Sequence, residues 1–394
     1  MISDRLITEK PQVKLKGFRS SQIKIIPAIP KDNDILRTIV SLKSTQQYSG
    51  LSAKSRALVD RMEESYGKKI KGVALEDADY VLSGHEFVEW DRLEKGQELR
   101  YLAYRYRYSK FPELKIIDDY PPCVQIEPSS ICNFRCVMCY QTDASFSSRN
   151  SGHMGFLGLD LFKKAVDELE GHVEAITLAS RGEPTLNKAF IPMLEYCRGK
   201  FLGLKVNSNA SIMSEEIVHA LFSNDVSTIV FSIDSADKKR YEEIRVGGKF
   251  VTLLQNLERF RNIRQKHYSA SKTIVRISGV KINDDQNIDH MNEAWKKYAD
   301  IIAFTNYTPW QSAYENPAND IESPCSELWR RLFVWQDGRV NPCDTDYKST
   351  LSRWNLGTQT LSRIWNSSEY NELRRLHLAK ERNKIEPCRR CISV

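Results

Sequence analysis

Three of the nine cysteines in this 394-residue chain fall in one short run, Ile131-Cys132-Asn133-Phe134-Arg135-Cys136-Val137-Met138-Cys139-Tyr140, with the spacing C-x3-C-x2-C. Three thiolates on one loop can each ligate a different iron of a four-iron, four-sulfur cluster. The fourth iron is then left without a protein ligand and open to another molecule. Two other readings compete. On a helix, positions i, i+4 and i+7 share a face and would bury three small side chains. A structural zinc ion wants four closed ligands, and no fourth lies in local reach. The scarcity of free cysteine argues for a metal role.

A second set, Cys325, Cys343, Cys388 and Cys391, closes the chain, its last two members forming a C-x2-C in Pro387-Cys388-Arg389-Arg390-Cys391. Between apolar runs, Gln336-Asp337-Gly338-Arg339 reads as a β-hairpin turn that carries Cys343 back towards Cys325. Four thiolates suffice for one fully ligated four-iron cluster or for a zinc ribbon. Cys123 and Cys197 remain. Cys197 shares a helical face with Phe190, Met193 and Leu194, and Cys123 precedes a strand, so both read as small core hydrophobes.

These cysteines need elements to position them. Strand-like runs are Val124 to Ile126, Ala175 to Ala179, Leu202 to Asn207, Thr228 to Ile233, Thr273 to Ile282 and Ile301 to Thr305. Helical stretches, Leu159 to Glu170, Lys188 to Arg198, Ser214 to Phe222, Phe250 to His267 and Gln286 to Tyr298, alternate with them. Strands separated by helices imply a parallel sheet with right-handed crossovers, buried on both faces. Ligands then gather at the carboxyl ends of the strands.

The cysteine loop resembles the signature of the radical S-adenosylmethionine (radical SAM) superfamily. That resemblance implies an α/β fold built on a partial (β/α)6, TIM-like barrel at residues 113–309. It also implies a [4Fe-4S] cluster on Cys132, Cys136 and Cys139. The cluster's open iron would chelate the amino and carboxylate groups of S-adenosylmethionine (SAM), whose reductive cleavage gives a hydrogen-abstracting 5'-deoxyadenosyl radical. Ser180-Arg181-Gly182-Glu183-Pro184 stands in place of the family's Gly-Gly-Glu-Pro element, which puts Gly182 and Glu183 at the SAM ammonium and Arg181 where a glycine is usual. Asn207-Ser208-Asn209 and Ser232-Ile233-Asp234-Ser235 match ribose and carboxylate contacts, with Asn207, Asn209, Ser232 and Asp234 as the implied ligands. Arg276 resembles the support of the SAM carboxylate. Ile282, in Gly279-Val280-Lys281-Ile282, and Met138 would pack the adenine. The terminal cysteines look like the auxiliary-cluster domain of SPASM and twitch enzymes, which implies one auxiliary [4Fe-4S] cluster on Cys325, Cys343, Cys388 and Cys391 in a small α+β domain at residues 310–394. An external electron donor such as flavodoxin or ferredoxin is the implied partner.

Residues 1–112 read as a mainly helical extension, with strand-like Gln22 to Ile26 and helical stretches at Ser55 to Tyr66 and Lys95 to Tyr108. A hydrophobic content of 41% supports a large core, and the net charge, 58 − 51 = +7, comes without a long basic run, so nucleic acid is not an expected partner. Tyr104-Arg105-Tyr106-Arg107-Tyr108-Ser109-Lys110 reads as a solvated helix face with its rings turned inward rather than an RNA contact. No run approaches the roughly 18 apolar residues of a membrane span and Met1-Ile2-Ser3-Asp4-Arg5 has no apolar signal core, so a cytoplasmic protein with reduced thiols is expected.

For the substrate, Asp119 to Ser129 and the single complete auxiliary set look most like radical SAM proteins acting on small molecules. The expectation is a dehydrogenase of a polyol, sugar or aminocyclitol carbon, the auxiliary cluster taking the second electron. Peptide modification stands second, and a non-catalytic iron-sulfur or zinc protein that binds RNA or a partner stands third. Arg181, Asn306, Tyr307 and Trp310 are the candidate substrate contacts.

Overall fold

The computed structural model describes residues 22–25 and 31–392; Ile26, in the expected first strand, lies outside them. The alternating strands and helices of the sequence are found in order. Strand β1 is Gln22–Ile25. Then come β2 (Cys123–Ile126), β3 (Ala175–Leu178), β4 (Gly203–Ser208), β5 (Thr228–Ser232), β6 (Ile274–Lys281) and β7 (Ile301–Asn306). Strands β2 to β7 pair side by side in parallel, each crossover carrying helices, which is the expected partial barrel. The pleat sorts each strand's side chains. In β4, Leu204, Val206 and Ser208 are buried under the helices, whereas Gly203, Lys205 and Asn207 are less buried and line the barrel interior. Side-chain caps fix the entries of several helices: Ser214 accepts from the Ile217 N–H, and Asn287 accepts from that of His290.

The sheet does not stop at the barrel. Its order is β1-β7-β6-β5-β4-β3-β2-β8-β9-β10. Strand β8 (Arg331–Val334) lies parallel to β2, pairing Val124 with Leu332 and Ile126 with Val334. The expected hairpin follows, β9 (Arg339–Asn341) running antiparallel to β8, and β10 (Trp354–Asn355) completes this edge. At the other edge β1 pairs antiparallel with β7. A carboxyl-terminal segment that reads in sequence as a separate small unit is therefore covalently distant but hydrogen-bonded directly to the first barrel strand. That covers an edge that would otherwise be left unpaired.

Helices α1 (Asp32–Leu42), α2 (Ala53–Ile70), α3 (Gly84–Asp91) and α4 (Glu98–Leu114) form a second apolar cluster that reaches the amino ends of the strands. Cys123 and Ala175 belong to this cluster, and Val88 of α3 packs on Ile274 and Ile301. The amino-terminal helices thus floor the barrel. Of these, α1 and α3 are not among the helical stretches expected from the sequence, although α1 buries Ile35 and Ile39 on one face. In α4 the rings of Tyr101, Tyr104 and Tyr106 are buried as expected, but the face is not solvated. Arg105 is buried with them, because the Glu86 carboxylate of α3 pairs with its guanidinium. Among the described residues no helix is long and apolar enough to cross a membrane.

The β2–β8 seam is expected to carry much of the stability. Leu332→Ala, at a position with 0% exposure, should cost about 2–5 kcal/mol in denaturant unfolding, whereas Leu378→Ala, at 52% exposure, should stay within about 0.5 kcal/mol of the parent.

Candidate active site: two cysteine sets on one cavity

The segment from Cys132 to Cys139 is not helical, so the three thiols do not sit on one helix face as filler. It runs extended beside the chain that follows helix α8 (Lys238–Ile244), the sixth and seventh helices of the core being α6 (Phe190–Cys197) and α7 (Glu215–Ser223) and the fifth α5 (Leu159–Leu169). The Arg135 N–H donates to the Val246 carbonyl at 2.8 Å and the Val137 N–H to that of Ile244 at 3.0 Å. Phe134, Val137 and Met138 turn inward and pack with Ile244, Val280, Ile282, Tyr307 and Trp310. With the backbone pinned and the apolar side chains spent on packing, the thiols are presented together. Donors surround them: the Phe134 N–H stands 3.4 Å from Cys132 Sγ, Asn209 Nδ2 3.9 Å from the same sulfur, and an Arg245 nitrogen 3.7 Å from Cys136 Sγ. Arg245 went unnoticed in the sequence, since nothing in its spacing links it to a cysteine 109 residues away.

The loop after β3 is fitted against the start of the cysteine loop. A Cβ on Gly182 would lie 2.5 Å from the carbonyl oxygens of Ser129 and Ile131, so only glycine allows this approach. The Glu183 N–H donates to the Ile131 carbonyl at 3.0 Å. Ser180 takes φ 153°, a conformation that favours glycine. The Glu183 carboxylate is buried and accepts from Thr185, from Ser208 Oγ and from the Asn209 N–H; burial pushes its pKa up and these donors pull it down. Asn207, Ser232, Val280 and Met138 line the cavity beside it, and Ile282 packs behind in the apolar cluster. Asp234 has both carboxylate oxygens engaged, one by Arg245 and one by the Val280 N–H, and is fully buried. Arg276 lies lower in the barrel, where the charges acting on it are Glu89 and Tyr108 of the floor helices.

Arg181 turns away from any substrate. Its guanidinium bonds both oxygens of Glu127, at 2.8 and 2.6 Å, donates to the Tyr347 carbonyl at 2.8 Å, and stacks on the Trp335 ring at 4.2 Å. Among the other candidate contacts, Asn306 and Trp310 line the cavity and Tyr307 packs edge-on against Trp310.

The second set is assembled by residues the sequence did not flag. Buried Arg382 donates to the carbonyls of Ser323, Cys388 and Cys391, drawing the C-x2-C to the approach of Cys325. His377 Nδ1 accepts from the Cys325 N–H at 3.2 Å, and burial lowers its pKa to about 4. Asn341, at the end of β9, holds the Cys343 carbonyl at 2.6 Å. Cys391 is near enough to raise the pKa values of Cys325, Cys343 and Cys388, and Cys388 that of Cys343. Cys197 is buried in α6 beside Phe190, Met193 and Leu194. Cys123 is buried too, but on the cavity floor.

Both sets open on one cavity of about 1540 Å³. The residues fit iron-sulfur clusters. Burial pushes Cys132 and Cys325 up to about 12 and Cys136, Cys139, Cys343 and Cys388 upward as well, so thiolates form here only opposite a compensating cation. Among the described residues no three His, Cys, Asp or Glu side chains converge on one ion. Unpartnered buried atoms mark the same walls: Ser180 Oγ and Asn207 Oδ1 near the cysteine loop, His377 Nε2 near the second set.

Comparison with known proteins agrees with this geometry. Residues 126–294 match the model of the radical SAM superfamily, and residues 325–392 that of the SPASM iron-sulfur cluster-binding domain. Mycofactocin maturase MftC of Mycolicibacterium smegmatis is 26% identical over 220 residues, 55% of this chain and 52% of that protein. The chain thus spans about half the length of this curated relative. Among solved structures, Streptococcus suis SuiB bound to S-adenosylmethionine superposes with a TM-score of 0.52 at 14% identity, covering 82% of this chain and 84% of SuiB. SuiB bound to its precursor peptide SuiA gives 0.51 at 15% identity, covering 79% and 78%. At these identities the likeness speaks to the fold.

The Arg181–Glu127 pair yields a test. Glu127→Ala leaves a buried guanidinium without its carboxylate and should cost about 3–5 kcal/mol in denaturant unfolding. Replacing both partners, Glu127→Leu with Arg181→Met, should cost less than that single change.

Proposed function

This chain is a radical SAM enzyme with a carboxyl-terminal SPASM domain, and from that premise we propose that it modifies a peptide, with residues 1–112, 113–309 and 310–394 as barrel floor, catalytic core and auxiliary-cluster unit. The observation that carries the substrate class is the likeness to mycofactocin maturase over 55% of the chain. The fold shared with SuiB, whose structure includes a precursor peptide, supports the same reading. The polyol, sugar or aminocyclitol dehydrogenase expected from the sequence draws no such support from the relatives.

Cys132, Cys136 and Cys139 would hold the SAM-binding cluster and Cys325, Cys343, Cys388 and Cys391 the auxiliary one. When bound, the first cluster and SAM supply the 5'-deoxyadenosyl radical that removes a hydrogen from the substrate. The protein supplies position and dryness. Arg245, Asn209 and the Phe134 N–H surround the sulfurs with donors, which stabilises negative charge on the cluster. Glu183, Ser180 Oγ and Asn207 Oδ1 offer acceptors to the SAM ammonium and ribose. Met138 and the cluster of Phe134, Val137 and Ile244 exclude water from that end. On the far side of the same cavity, the second cysteine set faces the substrate space and would take the electron left after hydrogen abstraction. An external flavodoxin or ferredoxin would deliver the first electron.

Anaerobically reconstituted protein given SAM and dithionite should form 5'-deoxyadenosine, and Cys132→Ala should abolish it. Cys343→Ala should retain that cleavage and lose modified product. Glu183→Ala should weaken SAM binding about tenfold, roughly 1.4 kcal/mol, with iron content unchanged. For the substrate, a short peptide encoded beside its gene, where one occurs, is the first candidate and should change mass on turnover. Oxidation of a polyol with every such peptide unchanged would contradict the peptide reading.

A further inference from the structure

Two side-chain cations in the barrel interior meet no carboxylate at ion-pair distance among the described residues. Lys205 on β4 and Arg276 on β6 both line the cavity, separated by β5, whose Thr228 pairs with Lys205 and whose Val230 pairs with Arg276. Thr228 and Val230 are two apart on one strand, so the two cations rise from the same inner face, offset by one pleat repeat along the strands and by two strand spacings, about 10 Å, across them. Among the described residues Lys205 makes no hydrogen bond and no ion pair. Arg276 donates from Nε to Ser278 Oγ at 2.8 Å and meets no carboxylate at ion-pair distance. The neighbouring arginines are matched: Arg105 by Glu86, Arg181 by Glu127, Arg245 by Asp234 and Arg331 by Glu327. The acid nearest to both, Glu89, is engaged by the Tyr101 hydroxyl at 2.7 Å.

An unmatched charge in a secluded cavity is costly, and a guanidinium cannot shed its charge as an ammonium can. We propose that Lys205 and Arg276 form an anion subsite that holds a carboxylate of the substrate deep in the barrel, on the floor side of the cysteine loop. A planar carboxylate suits the pair, since a guanidinium presents parallel donors and an ammonium adds a third. The state of Lys205 agrees: burial first, then Arg276 and Arg331, lower its pKa to about 8, and an anion between the cations would raise it again. The SAM carboxylate is not the natural occupant. The cation at the cysteine loop is Arg245, whereas Arg276 answers to Glu89 and Tyr108 on the floor. The assignment rests on the peptide reading only for the source of the carboxylate, which is either a chain end or an acidic side chain.

Calorimetry on reconstituted protein with SAM bound and no reductant tests this with four probes. N-acetyl-leucine carries an α-carboxylate, N-acetyl-leucinamide none, N-acetyl-glutamate α-amide only a side-chain carboxylate, and glucuronate is a sugar acid. At least one peptide-like carboxylate should bind tenfold or more tightly than N-acetyl-leucinamide, and the tighter of the two names the source. Lys205→Gln or Arg276→Gln should erase that preference with iron content and SAM affinity unchanged, while Lys205→Arg, which keeps the charge, should retain it. If glucuronate alone binds with preference, the subsite stands and the peptide reading falls. If no carboxylate is preferred, including the case in which nothing binds, the subsite falls and the peptide reading is untouched. Loss of SAM affinity together with the preference would also overturn the proposal, by giving the two cations to SAM.

Discussion

The buried pair of Glu127 and Arg181 holds the two halves of the site in register. Glu127 sits just past the end of β2, and Arg181 belongs to the loop after β3. Through Arg181 that loop grips the Tyr347 carbonyl and the Trp335 ring of the carboxyl-terminal segment, while Glu127 also accepts from the Gln336 N–H at 3.2 Å. Desolvation offsets much of the attraction in such a pair, so its effect lies in geometry more than in net stability. If the terminal segment docked elsewhere, Arg181 would lose the Tyr347 carbonyl and the Trp335 ring and Glu127 the Gln336 N–H, although the two charges would still meet each other. Tyr140, the residue after Cys139, extends the same joint: it stacks on Tyr347 at 5.0 Å and donates to the Ser180 carbonyl at 3.1 Å.

That joint gives the two cysteine sets one cavity. The parallel seam of β2 with β8 sets the level of the terminal segment, and the hairpin to β9 then delivers Cys343 to the same space as the cysteine loop. On the proposed reading, a substrate in that cavity would lie between the two cluster sites. The floor helices close the opposite end, with polar and aromatic side chains, Glu89, Tyr101, Tyr104 and Tyr108, facing in.

Much of this was legible in the chain because it is local. Ligand spacing exposes the cysteines, and apolar runs alternating with helical stretches expose β2 to β7, whose helix-facing side chains are buried. What escaped is long-range. The four residues of β8 say nothing about joining β2 some two hundred residues earlier, and Arg245, Arg382 and His377 owe their places to folding, not to a motif. Arg181 reads as a substrate contact because it stands beside Glu183, but its side chain points into the domain joint. The leading segment suggested a small-molecule substrate, yet it serves the fold: the carbonyls of Asp118 and Asp119 accept from Trp365 Nε1 and Asn366 Nδ2. The interior cations Lys205 and Arg276 look in sequence like ordinary strand residues, and only the fold brings both to the cavity.

Mössbauer spectroscopy with parallel zinc analysis on the anaerobically reconstituted chain tests the central claim, that both cysteine sets are cluster sites on one cavity. The account predicts about eight irons per chain in two four-iron clusters and no stoichiometric zinc. One cluster's worth of iron with one zinc per chain would contradict it.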